Sequence, residues 1–331
     1  MRKGQKGRIG KQISFLFLTV FVLFALCACK DKEKDNPQDL RPDPAPRTEL
    51  VTENAVTEVP VYYTTTDFSN LVPLTIAVNE TKECAFVSLT KLLAGAPNDY
   101  VETPFPEGVK LKDLYVQEDT VYAEFTSELL TIEKEKAEIG IAAIAASIKS
   151  SLPAGVNQLA LVVDGETLEK LGGEKLPVTV GPINYYPKNR SPKEEDVLLT
   201  TYYSDGEAMY LVPVTQKTKG ENLPQEAVEA LLAGPPAKSG LSNVFWKGTK
   251  CNHFTVKDGV ATVDFSKEIL GYGGGTAFET MMIDSLVYTL TQFEDIVTVQ
   301  ILIDGEKVDS LLEGSDIRSP LAPNRPLNLV Q

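Results

Sequence analysis

The sequence predicts an α+β protein built as two tandem, related domains. Each runs β-β-α-β-β-α-β, with its helices packed on a mixed, mainly antiparallel sheet. Three observations predict this. Matching segments recur about 140 residues apart, strand-type and helix-type apolar periods alternate in the same order in both halves, and proline-rich stretches separate the parts.

The repeat is explicit. Tyr62-Tyr63 recurs as Tyr202-Tyr203, and Leu71-Val72-Pro73-Leu74 as Leu211-Val212-Pro213-Val214. Leu92-Leu93-Ala94-Gly95-Ala96-Pro97 returns as Leu231-Leu232-Ala233-Gly234-Pro235-Pro236, and Glu124-Phe125-Thr126 as Asp264-Phe265-Ser266. Leu161-Val162-Val163-Asp164-Gly165-Glu166 returns as Ile301-Leu302-Ile303-Asp304-Gly305-Glu306. Such a period is too long for a solenoid unit and fits a duplicated small domain.

Each element follows from local pattern. Two short strands open each copy, near Val59–Thr64 and Leu71–Val78, then Leu198–Tyr203 and Ala208–Thr215. Phe86, Leu89, Leu92 and Leu93 fall at helical spacing, with Gly95 and Pro97 as the stop; Val228, Leu231 and Leu232 repeat this before Gly234. A hairpin follows, turning at Glu118-Asp119 in copy one and at Asp258-Gly259 in copy two. A longer helix carries the stripe Ile141, Ile144, Ile148, Leu152, matched by Met282, Leu286, Thr289, Phe293. The last strand is Gln158–Val163, or Val297–Ile303. The apolar run Ile301-Leu302-Ile303 suggests a central strand buried on both faces.

The first residues read as an address. Arg2, Lys3, Lys6, Arg8 and Lys11 precede an apolar stretch over 13–28, short for a spanning helix and suited to a cleaved signal peptide. Leu26-Cys27-Ala28-Cys29 resembles a bacterial lipobox, which implies that Cys29 becomes the lipidated first residue of the mature chain. Acyl chains anchor at about 0.8 kcal/mol per buried methylene. Residues 29–58 mix charges and then turn proline-rich, as a disordered tether does. The expected organisation is a signal peptide at 1–28, tether at 29–58, first domain at 59–176, connection at 177–196, second domain at 197–325 and tail at 326–331.

Charge and composition exclude several classes. With 32 Lys+Arg against 46 Asp+Glu, the net charge is −14. Loss of the five basic residues in 1–28 makes it −19. That argues against nucleic-acid binding, since gripping phosphates needs Lys and Arg, and predicts partners with basic surfaces. One histidine and four cysteines argue against a multi-histidine metal site and a disulfide scaffold, so no cofactor is expected.

Candidate sites each have a plainer reading. Gly271 to Gly275 precede a helix, yet no Lys-Ser/Thr follows as a P-loop requires. Asp164/Glu166 and Asp304/Glu306 suit acid–base work in principle, but Asp-Gly after a strand is turn chemistry. Cys251 with His253 suggests a dyad that lacks an orienting acid. No catalytic residue is therefore assigned. Cys84 and Cys251 either pair or remain buried thiols. Trp246 is either an exposed partner anchor or a core cap. Tyr62 and Tyr202 should alternate with buried Tyr63 and Tyr203, which leaves them at the rim as possible partner contacts.

The paired strand-rich starts, the LLAGPP segment, the V-x-V-D-F-S-type strand, the segment from Gly273 to Glu306 and the leading lipobox together resemble the GerMN-domain family of sporulation and germination lipoproteins from endospore-forming bacteria. The resemblance covers roughly residues 59 to 325 and is closer in copy two. It implies a fold like the ring-building motifs of secretion systems. It also implies a role in the membrane complex that connects mother cell and forespore. The expected function is thus that of a non-enzymatic, lipid-anchored, extracytoplasmic interaction protein whose partners are proteins of that complex. The rivals are a peptidoglycan-binding lipoprotein, an envelope hydrolase and a solute-binding lipoprotein. The hydrolase would need a convergent acid, base and nucleophile, and the solute binder would need chain crossovers between its lobes.

Overall fold

The computed structural model describes residues 56–323 and 325–330. The expected signal peptide, Cys29 and most of the tether lie outside the described residues.

Copy one opens with an antiparallel hairpin of β1 (Val56–Thr64) and β2 (Leu71–Asn79). Helix α1 (Cys84–Leu93) follows, then β3 (Leu111–Gln117), β4 (Thr120–Phe125), α2 (Lys134–Lys149) and β5 (Gln158–Val163). A short strand, β6 (Tyr185–Tyr186), lies in the connection. Copy two repeats the order with β7 (Leu198–Ser204), β8 (Leu211–Lys217), α3 (Leu223–Ala233), β9 (Cys251–Lys257), β10 (Val260–Phe265), α4 (Gly275–Leu290) and β11 (Thr298–Ile303). The tail ends in β12 (Leu329–Val330).

Each copy splits its strands between two sheets. The opening hairpin forms one. The other has an antiparallel pair (β3 with β4, β9 with β10) joined in parallel by β5 or β11. A single backbone bridge (Thr64 with Glu102, Ser204 with Ser242) and helix hydroxyls tie the hairpin to its copy. Tyr62 N donates to Ser147 Oγ at 2.9 Å and Ser88 Oγ donates to Pro60 O at 2.6 Å. In copy two, Tyr202 N donates to Thr289 Oγ1 at 3.3 Å and Ser285 Oγ donates to Tyr202 O at 2.6 Å.

Alternation along the hairpins sends Val59, Val61 and Tyr63 inward, and Tyr203 in copy two. Tyr63 donates its hydroxyl to Lys91 O and Tyr203 donates its own to Ala230 O. Two buried phenols thereby satisfy carbonyls in the last turns of α1 and α3. Gly234, at φ 89°, ends α3 in a backbone conformation that a side chain would oppose. Asp258 and Gly259 both take positive φ, as a two-residue hairpin turn requires.

Several boundaries depart from the sequence expectation. Strand β8 begins at Leu211, not Ala208. Asp205 Oδ1 accepts hydrogen bonds from Met209 N and Tyr210 N, so residues 205–210 close as a turn. Helices α2 and α4 end before Leu152 and Phe293. Strand β11 flanks β10 at one side of its three-stranded sheet and is not central; Leu321 bridges it at Val299.

The two copies interlock. Pro73 and Pro213 remove backbone donors from the facing strands β2 and β8, so a continuous ladder cannot form between them. Asparagine side chains take over. Asn184 accepts from Leu71 N at 2.7 Å and donates to Leu71 O and Pro213 O, both at 2.8 Å. Asn328 accepts from Leu211 N at 2.9 Å and donates to Leu211 O at 2.8 Å and Pro73 O at 2.7 Å. Each asparagine introduces a short strand that runs parallel to the opposite copy: β6 pairs with β8, and β12 with β2. The core of copy one continues into copy two through Tyr210 and Val212.

Candidate functional site

The interlock leaves a cleft between the copies, with a cavity of about 350 Å³. Repeat mates face each other across it: Tyr62 with Tyr202, and Pro73 with Pro213. Ile183 of the connection and Leu327 of the tail, each just before a clamping asparagine, also line it. Lys149, from the last turn of α2, reaches its rim and donates to Gly181 O at 3.0 Å. Partial burial lowers the pKa of Lys149. Burial, then the neighbouring Tyr202, pushes the Tyr62 phenol above its ordinary range, and burial raises Tyr202 likewise.

Tyr62 and Tyr202 are thus brought together, lining this cleft. Trp246 is not among the residues lining it. It is 49% exposed, and its ring lies so close over Gly271 that a Cβ there would sit 2.3 Å from it. The first glycine of the cluster is therefore a platform for the indole. Gly274 is similarly crowded by Phe278.

The acidic pairs stay in their turns. Asp164 and Asp304 hold positive φ at their strand ends; Asp164 pairs with Lys112 at 3.0 Å, and Asp304 accepts from Asn252. The Cys251–His253 pair straddles a bulge, and the thiol contacts the His253 carbonyl, not its ring. Burial and then the Asp264 charge raise the Cys251 pKa, the opposite of what activates a nucleophile. Cys84 and Cys251 are both free thiols.

Three groupings escaped the sequence reading. The clamping asparagines are one, although Pro182-Ile183-Asn184 and Pro326-Leu327-Asn328 form a visible repeat at an offset of 144. The second is Lys149. The third is Glu279, fully buried on α4, which accepts from Glu313 N at 2.8 Å, Ser315 N at 2.7 Å and the Tyr272 hydroxyl. Copy one has an alanine, Ala137, at the corresponding buried position, so only an explicit pairing of loop and helix would have revealed it.

The Germane family, described as sporulation and spore germination, matches residues 60–169 and 200–309, one match per copy. The chain belongs to the Germane family. A curated relative, the spore germination protein GerM of Bacillus subtilis (strain 168), is 22% identical over 278 residues, which cover 78% of this chain and 75% of the relative. The solved tandem GerMN domains of the sporulation protein GerM from Bacillus subtilis superpose with a TM-score of 0.63 at 21% identity. The match covers 84% of this chain and all of the solved one. The tandem Germane arrangement is therefore the fold of this chain, and the cleft lies between its two Germane copies. No helix among the described residues is long and apolar enough to cross a membrane.

Proposed function

We propose that this Germane chain is a lipid-anchored, extracytoplasmic docking protein without enzymatic activity, which acts in sporulation and germination. It would work in the membrane complex between mother cell and forespore, held there by a diacylglyceryl group on Cys29. The observation that carries the reading is the interlocked pair of Germane copies. Two small domains fixed against each other offer a partner one rigid surface in place of a flexible chain of modules. Family membership and the GerM relative support the sporulation role, and the lipobox-like Leu26-Cys27-Ala28-Cys29 supports the anchor.

Trp246 is the aromatic best placed for an outward contact, because half of it faces solvent on a glycine platform. Tyr62 and Tyr202 would meet a partner only through a segment inserted into the cleft. The charge of −19 on the chain after residue 28 favours basic partner surfaces and attraction that fades as salt rises. The test is affinity capture from sporulating cells at low and high salt, with Trp246→Ala in parallel. The reading expects membrane-complex proteins at low salt, fewer at high salt and fewer with Trp246→Ala. Recovery of none at either salt would overturn it, as would a Cys29 that mass spectrometry finds unmodified.

A further inference from the structure

The cleft between the copies has properties that docking does not require. Neither the Tyr62 hydroxyl nor the Tyr202 hydroxyl has a hydrogen-bond partner among the described residues, and neither is sealed from solvent, so both are free to bond a guest in the cleft. Their repeat neighbours Tyr63 and Tyr203 instead bond helix carbonyls. The third donor, Lys149, spends one N–H on Gly181 O and has no ion-pair partner among the described residues. None of the described lining residues is acidic, in a chain whose net charge is −14. Prolines and leucines make up much of the remaining wall.

We infer that this cleft is a binding site for a small organic carboxylate with an apolar or sugar body. Its carboxylate would sit at the Lys149 ammonium, accept from the Tyr62 and Tyr202 hydroxyls, and rest its body on Pro73, Pro213 and Leu327. A carboxylate accepts at both oxygens, and an ammonium with two N–H groups to spare is the strongest donor on the wall. The cavity is at the small end of the range for ligand sites, which excludes bulky polymers from its interior. The two copies are not equivalent here: the lysine comes from copy one alone, so the repeat mates would grip one ligand in one orientation. This inference is independent of the docking role and of the lipid anchor.

The test is isothermal titration of the full-length chain with two matched pairs of probes, benzoate against benzamide and N-acetylmuramate against N-acetylglucosamine. At least one carboxylate should bind saturably while its uncharged counterpart does not. Lys149→Met should weaken that binding about tenfold or more, and Lys149→Arg should largely retain it. Tyr62→Phe and Tyr202→Phe should each weaken it by a smaller factor. Lys149 is solvent-accessible in the last helical turn, so its variants should melt close to the parent and report binding, not folding. The inference is overturned if neither carboxylate binds up to about 10 mM, if the neutral probes bind equally well, or if Lys149→Met binds as the parent does.

Discussion

Asn184 and Asn328, 144 residues apart, make the same three side-chain hydrogen bonds with the copies exchanged. Each accepts from the backbone N–H of a strand-opening leucine, returns a bond to that leucine's carbonyl, and donates a second to the proline carbonyl of the other copy. Both take positive φ, at 47° and 50°, which asparagine tolerates better than most residues. The backbone repeats the pattern. Thr215 N donates to Asn184 O and Thr75 N donates to Asn328 O, both at 3.2 Å.

Removing either amide should therefore cost more than a surface change. Asn184→Ala and Asn328→Ala strand the N–H of Leu71 or Leu211 together with two carbonyls, and each should destabilise the chain by about 1–3 kcal/mol. Chemical denaturation of both single variants and the double variant measures this. Additive losses would mean that the two clamps act independently, whereas a double loss below the sum would mean that opening one already releases the other.

Deleting residues 326–331 should uncover the β2 edge at Thr75 and Ile76, which β12 otherwise covers. Hydrogen exchange should quicken at Thr75 N, whose acceptor is Asn328 O, while the β3–β4 hairpin retains its protection. Uniform loss of protection across copy one would show that the tail supports that copy's whole core.

Glu226 organises the start of α3. Its carboxylate accepts from the amides of Lys219, Gly220, Glu221 and Asn222 and from the Thr218 hydroxyl. The Thr218 bond above all, with the amides of Asn222, Gly220 and Glu221, outweighs the opposing effect of burial and holds its pKa at about 2, down from 4.5. A depressed carboxylate stabilises the fold above its unfolded pKa, and the contribution fades as pH falls from about 4.5 towards 2. Glu226→Gln should melt below the parent at pH 6, and the gap should close by pH 2. A gap that stays constant with pH would contradict the ionised-carboxylate account.

Glu279 presents the opposite environment. Burial pushes its pKa up, yet bonds from Ser315, Tyr272 and Glu313 outweigh that and keep it lowered. Glu279→Gln retains its size but weakens an acceptor shared by several donors, so a loss of about 1–3 kcal/mol is expected. The loss should be accompanied by faster proteolysis at 312–315, the loop those amides hold.

Alkylation without reductant should label both Cys84 and Cys251, as mapped by peptide mass spectrometry, because both thiols are free and half-buried. A disulfide-linked peptide containing the two would contradict the structure.

Much of the architecture was legible because apolar period and offset agree at most elements. Tyr63 and Tyr203, or Phe125 and Phe265, are the same core residue twice. Hydropathy was silent where polar atoms decide. The stretches around Pro182 and Pro326 read as connection and tail, since prolines and a lone asparagine carry no periodicity. Their role appears only when the carbonyls of Leu71, Pro73, Leu211 and Pro213 need donors. The same holds for the cleft. Tyr62 and Tyr202 were legible as the outward members of alternating pairs, but not as neighbours. No pattern within one copy specifies how that copy meets the next.

The pairing of β12 with β2 joins residues some 250 positions apart. A ribosome makes Leu329 long after Thr75, so copy one must wait, with one sheet edge unfinished, until that distant segment has emerged. Closure of so long a loop carries an entropic cost that local contacts cannot share. Maturation of copy one therefore waits on a late latch, and any factor that holds the nascent segment around Leu329 also decides when the first half becomes complete.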